Sequence, residues 1–116
     1  MSFNTVFFGW NRSVPGREKM SATHFQEFVQ YLTRRQDAGE IQSFDAVLLN
    51  SHGGNLNGFF LIQGEPGKLG ALVSSDEWEQ HMTRAAMHLD GSGAVPGVTG
   101  DLLTKRMQTW QGLIPS

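Results

Sequence analysis

The residues of this sequence best suited to proton chemistry at neutral pH are its four histidines, since histidine has an unperturbed pKa in that range. They are His24, His52, His81 and His88. At about 100° per residue, His24 and Tyr31 lie on one flank of the apolar stripe of a predicted helix. His81 and His88 lie on the corresponding flank of a second predicted helix.

The handedness of helical connections predicts where these two flanks point. Right-handed crossovers turn both flanks toward the neighbouring, antiparallel helix. His24 is then expected nearest His88, and Tyr31 nearest His81. Such a group would supply a histidine base, or a histidine pair for a metal. The alternative is a boundary between helices in which the imidazoles and the phenol satisfy one another or water. No carboxylate has metal-ligand spacing with them, so we expect no metal.

A second constellation follows the first predicted strand. Trp10, Asn11 and Arg12 bring an aromatic ring, an amide and a cation together, a combination that can orient a planar, oxygen-bearing ligand. The alternative is a buried tryptophan followed by a solvated turn. The candidate ligand-pocket residues are therefore His24, Tyr31, His81, His88, Trp10 and Asn11.

No short catalytic motif narrows the chemistry further. The sequence contains neither Gly-x-Ser-x-Gly nor His-Glu-x-x-His. Gly53 and Gly54 could let backbone amides approach an anion, but a hairpin turn between two strands accounts for them more simply. The catalytic residues, if the protein is an enzyme, stay open at this point.

The elements that must position these residues follow from the hydrophobic period. Aromatic and β-branched residues predict strands over residues 5–10, 44–49 and 58–63. A helical period predicts a helix over residues 17–38, with a stop at Gly39.

The second half of the chain carries weaker signals. A short helical turn is predicted over residues 68–73, and Ser74 with Glu77 has capping-box spacing that predicts the start of the next helix. That helix is expected to stop at Gly91. A weak strand over residues 94–99 contains Pro96, which belongs at a sheet edge because proline cannot donate to a ladder. A final helix is predicted over residues 101–111.

The second and third strands are apolar on both faces. Phe44, Ala46 and Leu48 alternate with Val47 and Leu49, whereas a sheet with one wet face should alternate apolar with polar residues. The predicted helices suffice to cover one face only. We therefore expect the other face to meet a second copy of the chain.

The strand-helix-strand-strand-helix-strand order resembles the ferredoxin-like fold. The resemblance implies an α+β domain over residues 1–116, with a four-stranded antiparallel sheet of order 4-1-3-2, helices on one face and an extra C-terminal helix. With two apolar sheet faces, the chain is similar to the dimeric α+β barrel superfamily, which implies a homodimer. That superfamily includes cofactor-independent monooxygenases and muconolactone-isomerase-like enzymes.

Composition excludes several classes of function. The 116 residues are 39% apolar and 17% charged, with a formal net charge of −2, which leaves no basic footprint for nucleic acid. There is no cysteine for thiol chemistry or disulfides. The apolar runs are too short to cross a bilayer and the N-terminus lacks a signal-peptide pattern, so a cytoplasmic location is expected.

The sequence leaves three functions open. The first is a homodimer that binds a small organic molecule between its helices and sheet, with no cofactor. The second is a monooxygenase- or isomerase-like enzyme in which His24 or His81 acts as base, with Tyr31 and Asn11 as hydrogen-bond partners. The third is a dimer that only engages another protein through an exposed apolar patch.

Overall fold

The architecture was obtained as a computed structural model that describes residues 2–115. Met1 and Ser116, the ends of the predicted domain, lie outside the described residues. The strands are β1 Thr5–Trp10, β2 Arg12–Ser13, β3 Ser43–Leu48, β4 Gly58–Gln63, β5 Leu89–Asp90 and β6 Gly93–Gly97. The helices are α1 Glu18–Asp37, α2 Pro66–Val73, α3 Asp76–His88 and α4 Asp101–Leu113.

Four strands form one antiparallel sheet in the order β3-β4-β1-β6. In its register, Phe8 of β1 stands opposite Phe60 of β4 and Ala94 of β6. Pro96 lies in β6 at the edge of the sheet, which confirms its predicted place, since an edge strand needs no second row of amide donors. The chain is thus a mixed α+β structure, as the sequence predicts.

The core lies between this sheet and helices α1, α2 and α3. Because side chains alternate across a strand, Val6, Phe8, Phe60 and Ile62 share one sheet face, and all four are buried there. They pack in one cluster with residues from all three helices, of which Phe28, Leu32, Leu69, Trp78 and Ala85 are examples. Burial of each large side chain contributes about 1.5–3 kcal/mol, so this cluster fixes both long helices on the sheet.

The start of α3 corrects one prediction. Ser75, not Ser74, is the N-cap, and its hydroxyl accepts a hydrogen bond from the amide of Trp78 at 3.3 Å. Ser74 instead closes α2, where its amide bonds to the carbonyl of Gly70. Glu77 therefore stands two residues after the cap, one short of the capping-box position, and the predicted box is wrong by one residue.

A second, two-stranded sheet was not expected from the sequence. Ser13 of β2 pairs with Leu89 of β5 immediately after α3, and the amide of Val14 bonds to the carbonyl of His88 at 2.9 Å. Helix α3 consequently ends at His88 rather than at Gly91, which instead turns the chain between β5 and β6 at a φ of +64°. This small sheet ties the end of α3 to the segment that leads into α1.

The opposite face of the main sheet carries no helix from α1 to α3. Phe7, Phe59 and Leu61 lie on it half-buried, and Val95 is 58% exposed. No residue of α4 is buried. Between residues 2 and 115, no helix combines the length and the apolar character needed to cross a membrane.

A glycine beneath Trp10 is predicted to be required for core packing. A Cβ added to Gly58 would lie 2.5 Å from the Trp10 ring, which is itself packed against Phe25 and Phe60. Gly58→Ala should therefore lower the free energy of unfolding by about 1–3 kcal/mol through overpacking. Urea denaturation measures this loss. The matched strand control is Gly97→Ala, where a Cβ meets nothing within 4 Å; equal losses in both variants would contradict the packing argument.

Candidate functional site

Three histidines form a continuous hydrogen-bonded cluster between α1 and α3. His24 Nδ1 lies 2.8 Å from His88 Nε2, and His24 Nε2 lies 3.0 Å from His81 Nδ1. The predicted proximity of His24 to His88 is thus confirmed. The ring of Tyr31 contacts that of His81 in a tilted arrangement at a centroid distance of 4.5 Å, again the expected pair.

Two serines extend this cluster beyond the histidines. Ser21 Oγ lies 2.8 Å from His88 Nδ1, and Ser13 donates a hydrogen bond to Ser21 Oγ at 2.7 Å. Five side chains therefore form one chain, which we call the Ser–His relay: Ser13, Ser21, His88, His24 and His81. It runs from the short β2 strand, through the α1–α3 boundary, to the outer side of α3.

The direction in which the hydrogen bonds of the relay run follows from giving each donor an acceptor. If Ser21 donates to His88 Nδ1, then His88 carries its proton on Nε2 and donates to His24, which in turn donates from Nε2 to His81. The reverse direction would leave the Ser21 proton only the longer contact to the His88 carbonyl, at 3.4 Å. The forward direction is therefore favoured, with all three imidazoles neutral and the same tautomer in each.

The local sequence explains why the three rings meet. Ser21 and His24 are three residues apart on α1, and His81 and His88 are seven residues apart on α3, so each pair shares one side of its helix. The antiparallel packing of α1 and α3 interleaves the two pairs. The β2–β5 pairing then brings Ser13 to the same end.

Burial keeps the histidines neutral. Desolvation, and after it the positive charge of Arg84, lower the pKa of His24 from 6.5 to about 4. The pKa values of His81 and His88 are also lowered, in both cases mainly by desolvation. Arg84 is paired with Glu27 across the same helix boundary. At neutral pH each imidazole therefore keeps one nitrogen free to accept a proton.

The Ser–His relay borders the main cleft of the protein, which has a volume of about 420 Å³. The cleft lies between α1, the end of α3 and the sheet. Its wall is largely aromatic, with Trp10, Phe25 and Phe60, and its polar lining includes Ser13, Ser21 and His88. An apolar concavity with a few convergent polar groups is the usual form of a small-molecule site.

The structure brings only some of the six candidate residues to this cleft. His24 and Trp10 line it, whereas His81 lies at the far end of the relay and Asn11 lines a different, polar concavity beside His52 and Asn57. Asn11 Oδ1 accepts a hydrogen bond there from Asn57 Nδ2 at 2.8 Å. The six candidate residues thus do not form a single pocket.

Tyr31 lies beneath the cluster rather than in the cleft. Its side chain is 1% exposed and its hydroxyl has no hydrogen-bond partner among the described residues. Burial raises the pKa of its phenol. Tyr31 lines a small pocket of about 210 Å³ together with Arg35 and Lys68. Tyr31 is therefore a neutral group that supports His81 by ring contact.

Ser13 and Ser21 are the functional residues that the sequence did not reveal. Ser21 lies three residues before His24 on the same helix side, a spacing that would have signalled it. Ser13 had no such signal, because its position depends on the two-residue β2–β5 pairing. Within residues 2–115, histidine and acidic side chains form no group of three that could hold a metal ion.

Comparison with known proteins adds no relative: no family model, no curated protein and no solved structure matches this chain. The assignment of function therefore depends on the site itself.

The lowered pKa of His24 predicts a loss of stability in acid. Between about pH 6.5 and pH 4 the unfolded chain binds a proton on His24 that the folded chain does not, so stability falls as the pH falls through this window. The expected loss from His24 at pH 4 is about 2–3 kcal/mol relative to neutral pH. Above pH 6.5 its contribution should be constant. Urea denaturation at a series of pH values measures the slope.

Two variants isolate the contribution of His24. His24→Phe removes the residue with the most strongly lowered pKa, so it should reduce this slope to the part that His81 and His88 contribute. It should also lower stability at pH 7, because His88 loses its acceptor. Thr23→Ala changes an exposed, non-titrating residue on the same helix and should keep the wild-type slope. A wild-type slope in His24→Phe would contradict the assignment of the acid sensitivity to the buried cluster.

Proposed function

We propose that this chain is a homodimeric protein of ferredoxin-like fold that binds a small organic molecule in the cleft beside the Ser–His relay. The observation that carries the proposal is the combination in that cleft of an aromatic wall with a hydrogen-bonded row of neutral serine and histidine side chains. The ligand is a flat, largely apolar molecule with one hydroxyl or carbonyl group turned toward Ser13 and Ser21.

The chemistry of the aromatic wall and of the polar lining of the cleft supports this ligand class. Trp10, Phe25 and Phe60 offer ring faces and edges that favour an aromatic or other planar partner. The polar lining supplies hydroxyl, imidazole and amide groups and the carboxylate of Glu18, which match a neutral oxygen better than an anionic one. The His24 and His88 imidazoles carry no charge at neutral pH, since their pKa values are lowered by burial.

The strand order supports the ferredoxin-like assignment. The four strands of the main sheet, taken in chain order and without the short β2 and β5, stand in the spatial order 4-1-3-2, and the long helices lie on one sheet face. This is the arrangement that the sequence resemblance implies.

The surface area supports the homodimer. The chain exposes 7437 Å², whereas a folded monomer of 12.8 kDa is expected to expose about 6,300 Å². The excess of about 1,100 Å² compares with about 800 Å² that each partner buries in a standard interface. A radius of gyration of 15.9 Å, against about 13 Å for a compact chain of this length, points the same way.

Two unpartnered apolar surfaces account for this excess. One is the open sheet face around Phe7, Phe59 and Leu61. The other is α4, whose Trp110 is 58% exposed and whose Leu113 is 77% exposed. The residues before α4 join the open face, because Thr99 contacts Thr5 of β1 there. A second copy offers a matching sheet face and a second α4, so one symmetric partner covers both surfaces.

Ligand binding is tested with 2-naphthol, a planar apolar molecule with one hydroxyl group, by the change in its fluorescence anisotropy on titration with protein. Saturable binding is expected. Ala22→Trp should weaken it at least about tenfold, because a ring at this cleft-lining position occupies the site. Thr23→Trp, at the next exposed position outside the cleft, is the matched control. Equal binding by both variants would contradict the cleft as the site.

Dimerisation is tested by sedimentation equilibrium. The wild type should sediment as a dimer, and Val95→Lys, which adds a charge to the open sheet face, should shift it toward monomer. Met87→Lys changes an equally exposed residue on α3 and should leave the dimer intact. Removal of the residues after Gly100 should weaken the dimer; an unchanged dimer would exclude a role for α4 in the interface.

A further inference from the structure

Ser21, His88 and His24 have the geometry of a nucleophile, a base and a group that orients the base. Ser21 Oγ is 2.8 Å from His88 Nδ1, and the other nitrogen of His88 is 2.8 Å from His24 Nδ1. This is the signature of an activated serine: nucleophile and base within hydrogen-bond reach, with the base held by a third residue. Ser21 and His88 both line the cleft.

We infer that Ser21 is a catalytic nucleophile for acyl transfer, and that the substrates are small esters with a planar apolar group bound against the aromatic wall. The inference rests on the proposed function, because the same cleft must first bind the apolar part of the ester. It goes further by naming the reaction and the atom that reacts.

The first half of the reaction forms an acyl-serine. Ser21 Oγ attacks the ester carbonyl carbon while its proton passes to His88 Nδ1. The C–O bond to the leaving group then breaks, and the leaving oxygen takes the proton back from His88. In the second half, water attacks the acyl carbon and gives a proton to His88 Nδ1. The bond from the acyl carbon to Ser21 Oγ then breaks, Oγ takes the proton back from His88, and the carboxylic acid leaves.

The rest of the Ser–His relay suits this role. When His88 gains a proton, its Nε2–H already donates to His24, so the ring cannot turn away from Ser21. His24 can pass a proton onward to His81. Desolvation lowers the pKa of His81, but the charges of Glu77 and Glu27 act in the opposite direction and favour its protonated form. Positive charge can thus leave the buried end of the relay. The Ser13 hydroxyl, 2.7 Å from Ser21 Oγ, is a donor beside the position where the oxyanion develops.

The geometry also argues against a purely structural role for Ser21. A serine that only served packing would need one partner, and the carbonyl of its own helix usually supplies it. Ser21 instead meets Ser13, the ring of His88 and the His88 carbonyl. Its hydroxyl is directed at the one free acceptor nitrogen of His88.

The test uses 2-naphthyl acetate as substrate and phenylmethanesulfonyl fluoride as covalent probe, with the full chain. We expect a burst of up to one 2-naphthol per chain followed by steady hydrolysis. The sulfonyl fluoride should form an adduct on Ser21 with loss of fluoride, located by peptide mass spectrometry. Ser21→Ala should abolish both the burst and the adduct. Ser51→Ala, an exposed serine in the 49–57 loop, should change neither.

Binding of 2-naphthol itself separates the two claims. If Ser21→Ala still binds 2-naphthol, its loss of activity is not a loss of folding. If the wild type binds 2-naphthol but neither hydrolyses the ester faster than Ser21→Ala nor forms the adduct, acyl transfer is overturned and ligand binding stands. If the wild type does not bind 2-naphthol, both claims fail. An adduct on other serines with Ser21 unlabelled also overturns the inference.

His24 is a positioning residue in this scheme, and a conservative variant tests it. His24→Asn keeps an acceptor close to the position of Nδ1, whereas His24→Leu removes it. The asparagine variant should restore most of the sulfonylation rate that the leucine variant loses. Equal rates in the two variants would show that His24 does not orient His88.

Discussion

The buried contact of His24 with His88 and His81 is the interaction on which the rest of the site depends. His24 and His88 are only 4% and 2% exposed, so their nitrogens have lost water and must find partners within the protein. A hydrogen bond contributes about 1 kcal/mol net, but an unsatisfied buried group costs about 1–3 kcal/mol. The relative position of α1 and α3 is therefore set by this polar contact as well as by the apolar core. A shift of one helix by a turn would leave several nitrogens unpaired.

The same constraint gives the cleft its chemistry. Aromatic side chains from α1 and the sheet make an apolar wall, and a row of hydrogen-bonded serines and neutral histidines lies at its border. A neutral imidazole chain with lowered pKa values is a set of bases ready at neutral pH, which a protonated cluster would not be. Arg84 and Glu27 pair beside it, and the cation helps to keep the rings neutral. In the proposed function, this is the setting that an apolar ligand would meet.

The histidine cluster was predictable because it depends on two regular properties, the helical period and the right-handed connection. His24, His81 and His88 fall on facing helix flanks for these reasons alone. The sheet face without a helix was predictable for a similar reason, because β4 carries apolar residues such as Phe59 and Leu61 on its second face. The place of Ser13 was not predictable, because it depends on a pairing of two strands of only two residues each. The N-cap of α3 was missed by one residue, because two adjacent serines could both serve as the cap. The exposed apolar side of α4 was visible in the sequence, but whether it covers its own sheet was not.

The most direct test of the account is nitrogen-15 NMR of the histidine side chains across a pH titration. The Ser–His relay predicts that His24, His81 and His88 are neutral at pH 7, each with its proton on Nε2. It also predicts that the pKa values of His81 and His88 lie below the usual histidine value of about 6.5, and that His24 titrates near pH 4. Three rings that titrate independently near pH 6.5, or that carry mixed tautomers at neutral pH, would show that the buried relay does not exist.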